Sequence, residues 1–276
     1  YPKDDIRYIK TIEEEIQAIK DVKLEDCKQF YKDFYGANNA SIAVVGDFDE
    51  AEVKSIVSKQ LANWKSMNPY KRLEDNYVDV KPVNENIETP DKANAMFLAG
   101  MNLNIRDDDP DYPALVLGNY IFGGGFLNSR LATRIRQKEG ISYGVGSQLF
   151  ADAQDKSGGF MIYAIYAPEN RDRLEAAYKE ELEKMLKEGF TDQELTDAKS
   201  GLLQSRKVSR SQDGQLSSSL NFMLNIGRTL KFTEDFESKI NKLTADQIKM
   251  AMNKFIDPAK MSVFKGGDFA NKMKKP

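Results

Sequence analysis

The sequence contains no histidine and a single cysteine, Cys27. Without imidazole there is no Ser-His-Asp triad, no histidine general base and no zinc site built on ring nitrogens. One thiol cannot form an internal disulfide or a four-thiolate metal site. Long apolar runs are also missing, and none approaches the ~18 residues of a membrane span. There is no basic excess either. Lys+Arg is 40 against 43 for Asp+Glu, a net charge of −3, so nothing argues for nucleic acid or an anionic membrane as partner. The opening Tyr-Pro-Lys-Asp-Asp lacks an initiator Met. That fits a processed product or a fragment, so a missing signal peptide says little about compartment. What is present is ordinary for a globular protein. The 276 residues are 41% hydrophobic and 30% charged, enough for one large domain or two modest ones.

The most informative stretch is Phe122 to Tyr143, FGGGFLNSRLATRIRQKEGISY. Gly123, Gly124 and Gly125 form a run unsuited to a helix or strand interior, where each glycine costs about 1 kcal/mol. The run lacks the Lys-Ser/Thr of a phosphate loop, and a close approach of two backbones or a hinge explains it better. From Leu127 the apolar spacing Leu127, Leu131, Ile135 predicts a helix, stopped at Gly140 by a left-handed residue. An extended run starts at Ser142. Arg136 then falls in the last helical turn and Tyr143 near the strand start, one tight turn apart. On pattern alone, the pair also reads as a cation complementing the helix dipole and an aromatic filling a sheet face.

Elsewhere the pattern alternates helix and strand. Capping boxes at Thr11/Glu14, Thr191/Glu194 and Thr244/Gln247 mark three helix starts. Helices are expected over 24–35, 49–64, 107–122, 170–188, from 191 past 205, and 212–230 with a break at Gly214. Ser41–Val45, Ala95–Leu103 and Met261–Phe264 read as strands, and 142–152 with 157–167 as a hairpin. The Pro-containing segment 65–92 reads as a linker with an extended piece. Both faces of 160–166 are apolar, which predicts a covered central strand. The acids Asp107, Asp108, Asp109 and Asp111 lack the glycine and glutamate of a calcium loop and read as solvated helix-start charges. Ser262 and Lys265 match a hydrolase spacing, but on a strand, where it carries no chemistry.

Residues 22–48 align without gaps on 243–269, at an offset of 221, with six identities. Both copies read capped helix, turn, strand, Gly-Asp-Phe. The expected organisation is therefore 1–75 as the tail of one unit and 76–276 as a complete second unit of the same kind. The fold class is α+β, a mixed sheet with helices mainly on one face.

The series GGGFLNSRL followed by Arg136 and, seven residues on, Tyr143 resembles the C-terminal half of pitrilysin/insulinase-type zinc peptidases. That family includes the mitochondrial processing peptidases and the bc1 core subunits. The resemblance implies that Arg136 and Tyr143 reach a peptide substrate across a closed chamber, with Gly123–Gly125 at the cleft. The family's zinc motif, His-x-x-Glu-His, cannot exist here. The chain is thus expected to hold no catalytic residue and no metal, and to be inactive alone. Zinc is expected on a partner half, in the same longer chain or a separate subunit. Two other readings stay open: a structural subunit like the bc1 core proteins, and a peptide-binding module using a strand edge. The bacterial periplasm is favoured over cytoplasm or mitochondrion, with no residue arguing for it.

Overall fold

The computed structural model describes residues 1–272. They divide into two compact units, Tyr1–Leu73 and a second from Glu74 onward.

The first unit holds three helices, α1 (Ile12–Asp21), α2 (Leu24–Phe34) and α3 (Glu50–Leu61). Thr11 caps α1 in a capping box, and the Asp49 carboxylate accepts from Glu52 N at the start of α3. The expected strand at Ser41–Val45 does not form. A strand exists only as part of a ladder, and no strand is present among the described residues of this unit. Its apolar stripes stay outside as well: Ile12, Ile16, Ile19, Phe30, Tyr31, Phe34 and Ile56 are exposed. A fully buried Leu, Ile or Phe stabilises by about 1.5–3 kcal/mol, and α1–α3 bury none.

The second unit is built on a five-stranded mixed sheet of order β1-β5-β2-β4-β3. Its strands are β1 (Asn84–Glu88), β2 (Ala95–Leu103), β3 (Ser142–Ala151), β4 (Gly158–Tyr166) and β5 (Ser262–Gly267). β1 runs parallel to β5, and the other pairs are antiparallel. β2 shows how the sequence sorts its faces: Ala95, Phe97, Ala99 and Leu103 are buried while Met96 is exposed. The buried face meets a helix layer that includes α4 (Tyr112–Asn119), α5 (Arg171–Glu188), α6 (Asp192–Arg210), α8 (Leu230–Lys242) and α9 (Ala245–Phe255), with α7 (Asp213–Asn225) packed on α6. Leu174, Leu182 and Met185 of α5 and Ile248 and Met252 of α9 pack there with Phe97, Phe160 and Ile162. A short α10 (Phe269–Lys272) follows β5. The α+β fold class holds, with helices on one face.

Several details differ from the sequence reading. α8 was hidden between the helix expected over 212–230 and the cap at Thr244. Gly214 does not break α7 but lies in its first turn, where the helix has the fewest bonds to lose. Part of the expected linker forms β1, because β5 supplies a parallel partner. The second face of the sheet is not closed. The segment 77–83 crosses it, pinned where Asn102 Nδ2 donates to Val78 O (3.0 Å) and Val83 N to Ser262 Oγ (3.3 Å). Beneath it lies an apolar cavity of about 520 Å³ lined by Leu98, Phe150, Met161 and Phe264. Met161 faces this cavity, while Phe160 and Ile162 face the helices.

Two charged features are structural. Lys265 is buried, and its ammonium donates to Asn84 Oδ1 (2.8 Å) and Glu175 Oε2 (3.0 Å), tying β1 and α5 to β5. Ser262 has the opposite parity along the strand and bonds to Val83 instead. The acids before α4 are not simply solvated. Asp107 takes a two-pronged bond from Arg228 (2.6 and 2.7 Å), and Asp111 pairs with Lys254 (2.6 Å).

Candidate substrate-contact site

After α4 the helix widens into a π-helical turn, Tyr120–Gly124, which carries the first two glycines of the run. A Cβ on Gly123 would stand 2.5 Å from the Ser147 nitrogen and 2.8 Å from its Cβ. The loop therefore rests directly against the backbone of β3, and only glycine permits that approach. A Cβ on Gly124 would meet Asn119, and one on Gly125 the Tyr120 carbonyl. Asn119 in turn accepts from the Ser147 hydroxyl (2.7 Å).

A single 3₁₀ turn, Phe126–Asn128, follows, so Leu127 lies outside the next helix. That helix starts at Ser129, whose buried hydroxyl donates to Phe126 O (2.8 Å) and accepts from Ala132 N (3.3 Å). Arg130 grips Glu194 through Nε (2.6 Å) and Nη2 (2.7 Å), reaches Gly189 O (2.9 Å), and stacks on Phe190. Burial works to raise the Glu194 carboxyl, but Arg130 and Thr191 outweigh it and hold it at about 2. The Ser-Arg-Leu portion of the motif is thus an anchor to the α5–α6 turn.

Residues Ala132–Lys138 form a second π-helical segment, with Arg136 in its last turn. Wide turns of this kind are uncommon and concentrate at functional sites. Gly140, at φ 64°, reverses the chain into β3. The register of β3 on β4 slips between Ser142 and Gly144, so Tyr143 is the extra residue of a β-bulge. A bulge at a sheet edge re-aims the side chain it carries. The Ser142 hydroxyl holds it, donating to Ile165 O (2.6 Å) and accepting from Gly144 N (3.1 Å).

Arg136 and Tyr143 line one open cavity of about 420 Å³, together with Asn94, Ser142, Tyr166 and Asn170. Tyr143 is 63% exposed. Among the described residues, Arg136 has no hydrogen bond, ion pair or ring contact. Every other arginine is engaged by a neighbouring group. The glycine run does not line this cavity; it packs on the middle of β3. Sequence reasoning missed Ser142 and Tyr166. Burial pushes the Tyr166 phenol up to about 12, and its hydroxyl has no hydrogen-bond partner among the described residues.

The donor set does not suit a zinc ion. There is no imidazole in the sequence, and the lone thiol, Cys27, is exposed. Among the described residues, no three Cys, Asp or Glu side chains are placed to hold a metal ion. No described helix is long and apolar enough to cross a membrane.

Residues 21–202 match the family model for the peptidase M16 inactive domain. The chain belongs to that family. The M16 inactive domain of Pseudomonas fluorescens, solved by crystallography, is 31% identical and superposes with a TM-score of 0.80 over 94% of this chain and 61% of its own. A Bacillus subtilis protein named as a probable inactive metalloprotease is 25% identical over 67% of this chain. A Helicobacter pylori protein named as a non-peptidase homolog is 26% identical over 84%. The chain spans 42% and 52% of the lengths of these two, about half of each. Other relatives, in Bacillus subtilis and Rickettsia felis, are named as uncharacterized zinc proteases. As an M16 inactive domain, the chain is of the half that carries no peptidase motif.

Proposed function

We propose that this M16 inactive domain completes a zinc peptidase by closing the substrate chamber and presenting Arg136 and Tyr143 to the bound peptide. The zinc would sit on another half, in the same longer chain or a separate subunit, since the residues here do not fit it. The observation that carries the reading is Arg136, the one arginine without a partner among the described residues, sharing a cavity with a tyrosine aimed by a bulge. A guanidinium and a phenol donate hydrogen bonds to a peptide carbonyl, and more strongly once that oxygen gains negative charge.

The test mixes Arg136→Ala and Tyr143→Phe chains with the zinc-bearing half and measures kcat and KM beside a melting curve. Both variants are expected to melt like the parent, because neither side chain is buried or, among the described residues, bonded. Loss of an oxyanion donor lowers kcat on the order of 10²- to 10³-fold, whereas loss of a ground-state contact raises KM alone. Unchanged kinetics in both variants would return the chain to a scaffold role.

A further inference from the structure

The helix layer holds another cavity, of about 490 Å³, between α4, α6, α7 and α8. It shares no described residue with the Arg136 cavity. Val116, Phe222, Met223, Ile226, Phe232 and Phe236 give it apolar walls. α7 forms one side, yet α7 buries none of its residues, and Phe222 stands 55% exposed. Tertiary packing of an apolar face is what normally holds a helix, and an apolar body in the cavity would supply it to α7.

One end of the cavity suits an anion. Ser205, Arg206, Ser209 and Arg210 line it from one face of α6. Both guanidiniums serve a single carboxylate, Glu237: Arg206 donates through Nε (2.8 Å), and Arg210 through Nη1 (2.5 Å) and Nη2 (3.0 Å). The two Nη groups of Arg206 have no hydrogen-bond partner among the described residues. Thr233 stands one helical turn before Glu237 on α8 and lines the same cavity. It is only 9% exposed, and its hydroxyl has no partner among the described residues. A hydroxyl so far removed from water carries a desolvation cost that an arriving acceptor removes. The Arg228 end is already balanced, since Asp107 binds that guanidinium in two-pronged fashion, with Asp108 and Asp152 nearby. The uncompensated positive charge therefore lies at the Arg206–Arg210 end.

We propose that this cavity binds a small amphipathic carboxylate, its hydrocarbon against Phe222, Met223 and Phe232 and its head group on Arg206 and Thr233. The volume is that of a small-molecule site, and a carboxylate matches the free N–H groups of a guanidinium. Occupancy gives α7 the packing it lacks, so the ligand orders that helix. The site is independent of the peptide contacts assigned to Arg136 and Tyr143.

The test titrates the full chain with octanoate, octanol, octylammonium and acetate by calorimetry, and follows amide hydrogen exchange in α7. Octanoate is expected to bind one to one and to slow exchange across Asp213–Asn225. Octanol, with the tail but no charge, is expected to bind roughly tenfold more weakly, and octylammonium and acetate not measurably. Affinity should rise about three- to fourfold for each CH₂ from hexanoate to octanoate, the worth of one buried methylene. Arg206→Gln should bring octanoate to the level of octanol. Because Arg206 also holds Glu237, two further variants separate binding from folding. Thr233→Val should weaken octanoate several-fold with an equal or higher melting temperature, since among the described residues the hydroxyl has no partner to lose. Ser219→Leu, at a residue lining the cavity, should abolish binding by filling it, in a helix where leucine is the better former. Octanol or octylammonium binding as tightly as octanoate overturns the proposal. So does an absence of octanoate binding, or binding that Ser219→Leu leaves intact. Exchange slowed elsewhere with α7 unchanged would place the ligand outside this cavity and overturn it equally.

Discussion

The hydroxyl of Ser142 donates to the carbonyl of Ile165 at 2.6 Å while accepting from the amide of Gly144 at 3.1 Å. One small side chain thereby occupies the two backbone groups that the bulge at Tyr143 takes out of the ladder. Ser142→Ala leaves both groups buried without that partner. The expected cost is about 1–2 kcal/mol, with Ser142→Thr retaining most of the stability. Amide hydrogen exchange at Gly144 reports it directly: protection should fall in the alanine variant, and equal protection would show that another group holds the bulge.

Gly123 is expected to tolerate no side chain. A Cβ there would press on the Ser147 backbone at 2.5 Å, and backbone cannot swing aside as a long side chain does. Overpacking of this kind costs typically 1–3 kcal/mol, so Gly123→Ala should melt several degrees below the parent. An unchanged melting temperature would mean that the loop lifts from β3 freely.

The Arg130–Glu194 pair predicts an acid-sensitive anchor. Glu194 is held at about 2, below its ordinary 4.5. A depressed carboxylate contributes stability that is fully present above its unfolded pKa and lost as pH falls through the folded one. The window is therefore roughly pH 4.5 down to pH 2. Because the pair is partly exposed, the contribution is on the order of 1–2 kcal/mol rather than the full value of the shift. The melting gap between the parent and Glu194→Gln should narrow as pH drops from 5 to 2. A gap that stays constant would assign the acid response to another group.

Limited trypsinolysis is expected to nick the chain first between Trp64 and Pro90. Lys65 and Lys71 are exposed there, neither followed by proline, and residues 62–83 form no helix or strand. The boundary between compact units falls in the same stretch, after Leu73. First cuts inside 95–205 would show that the sheet opens before the linker does.

Much of this protein was written locally. The capping boxes at Thr11, Thr191 and Thr244 each use side chain and backbone within four residues, and all three form. The hairpin of β3 and β4 needs only alternation and a polar turn. The repeat shows the same sharing at longer range. α2 spans 24–34 and α9 spans 245–255, the offset of 221 preserved to the residue. Zero histidine excludes the family's zinc motif from any fold this chain adopts. Position of the Arg136–Tyr143 pair at a helix end and strand start was likewise legible, because Gly140 fixes the turn between them.

What tertiary structure decided depends on groups far apart in sequence. Ser41–Val45 and Ser262–Gly267 are the two copies of one repeated strand, yet only the second pairs, because β1 and β2 lie beside it. Arg130, Arg134 and Arg136 stand within seven residues, and nothing local says which is free. Glu194 claims the first, and Glu139 and Glu180 claim the second; among the described residues the third receives no acid. The slip that makes Tyr143 a bulge is a relation between two strands, not a property of either. Local hydrogen bonds and spacing set the elements. Strand partners and charge partners arrive from elsewhere in the chain, so only the folded arrangement decided that Arg136 has no charge partner among the described residues.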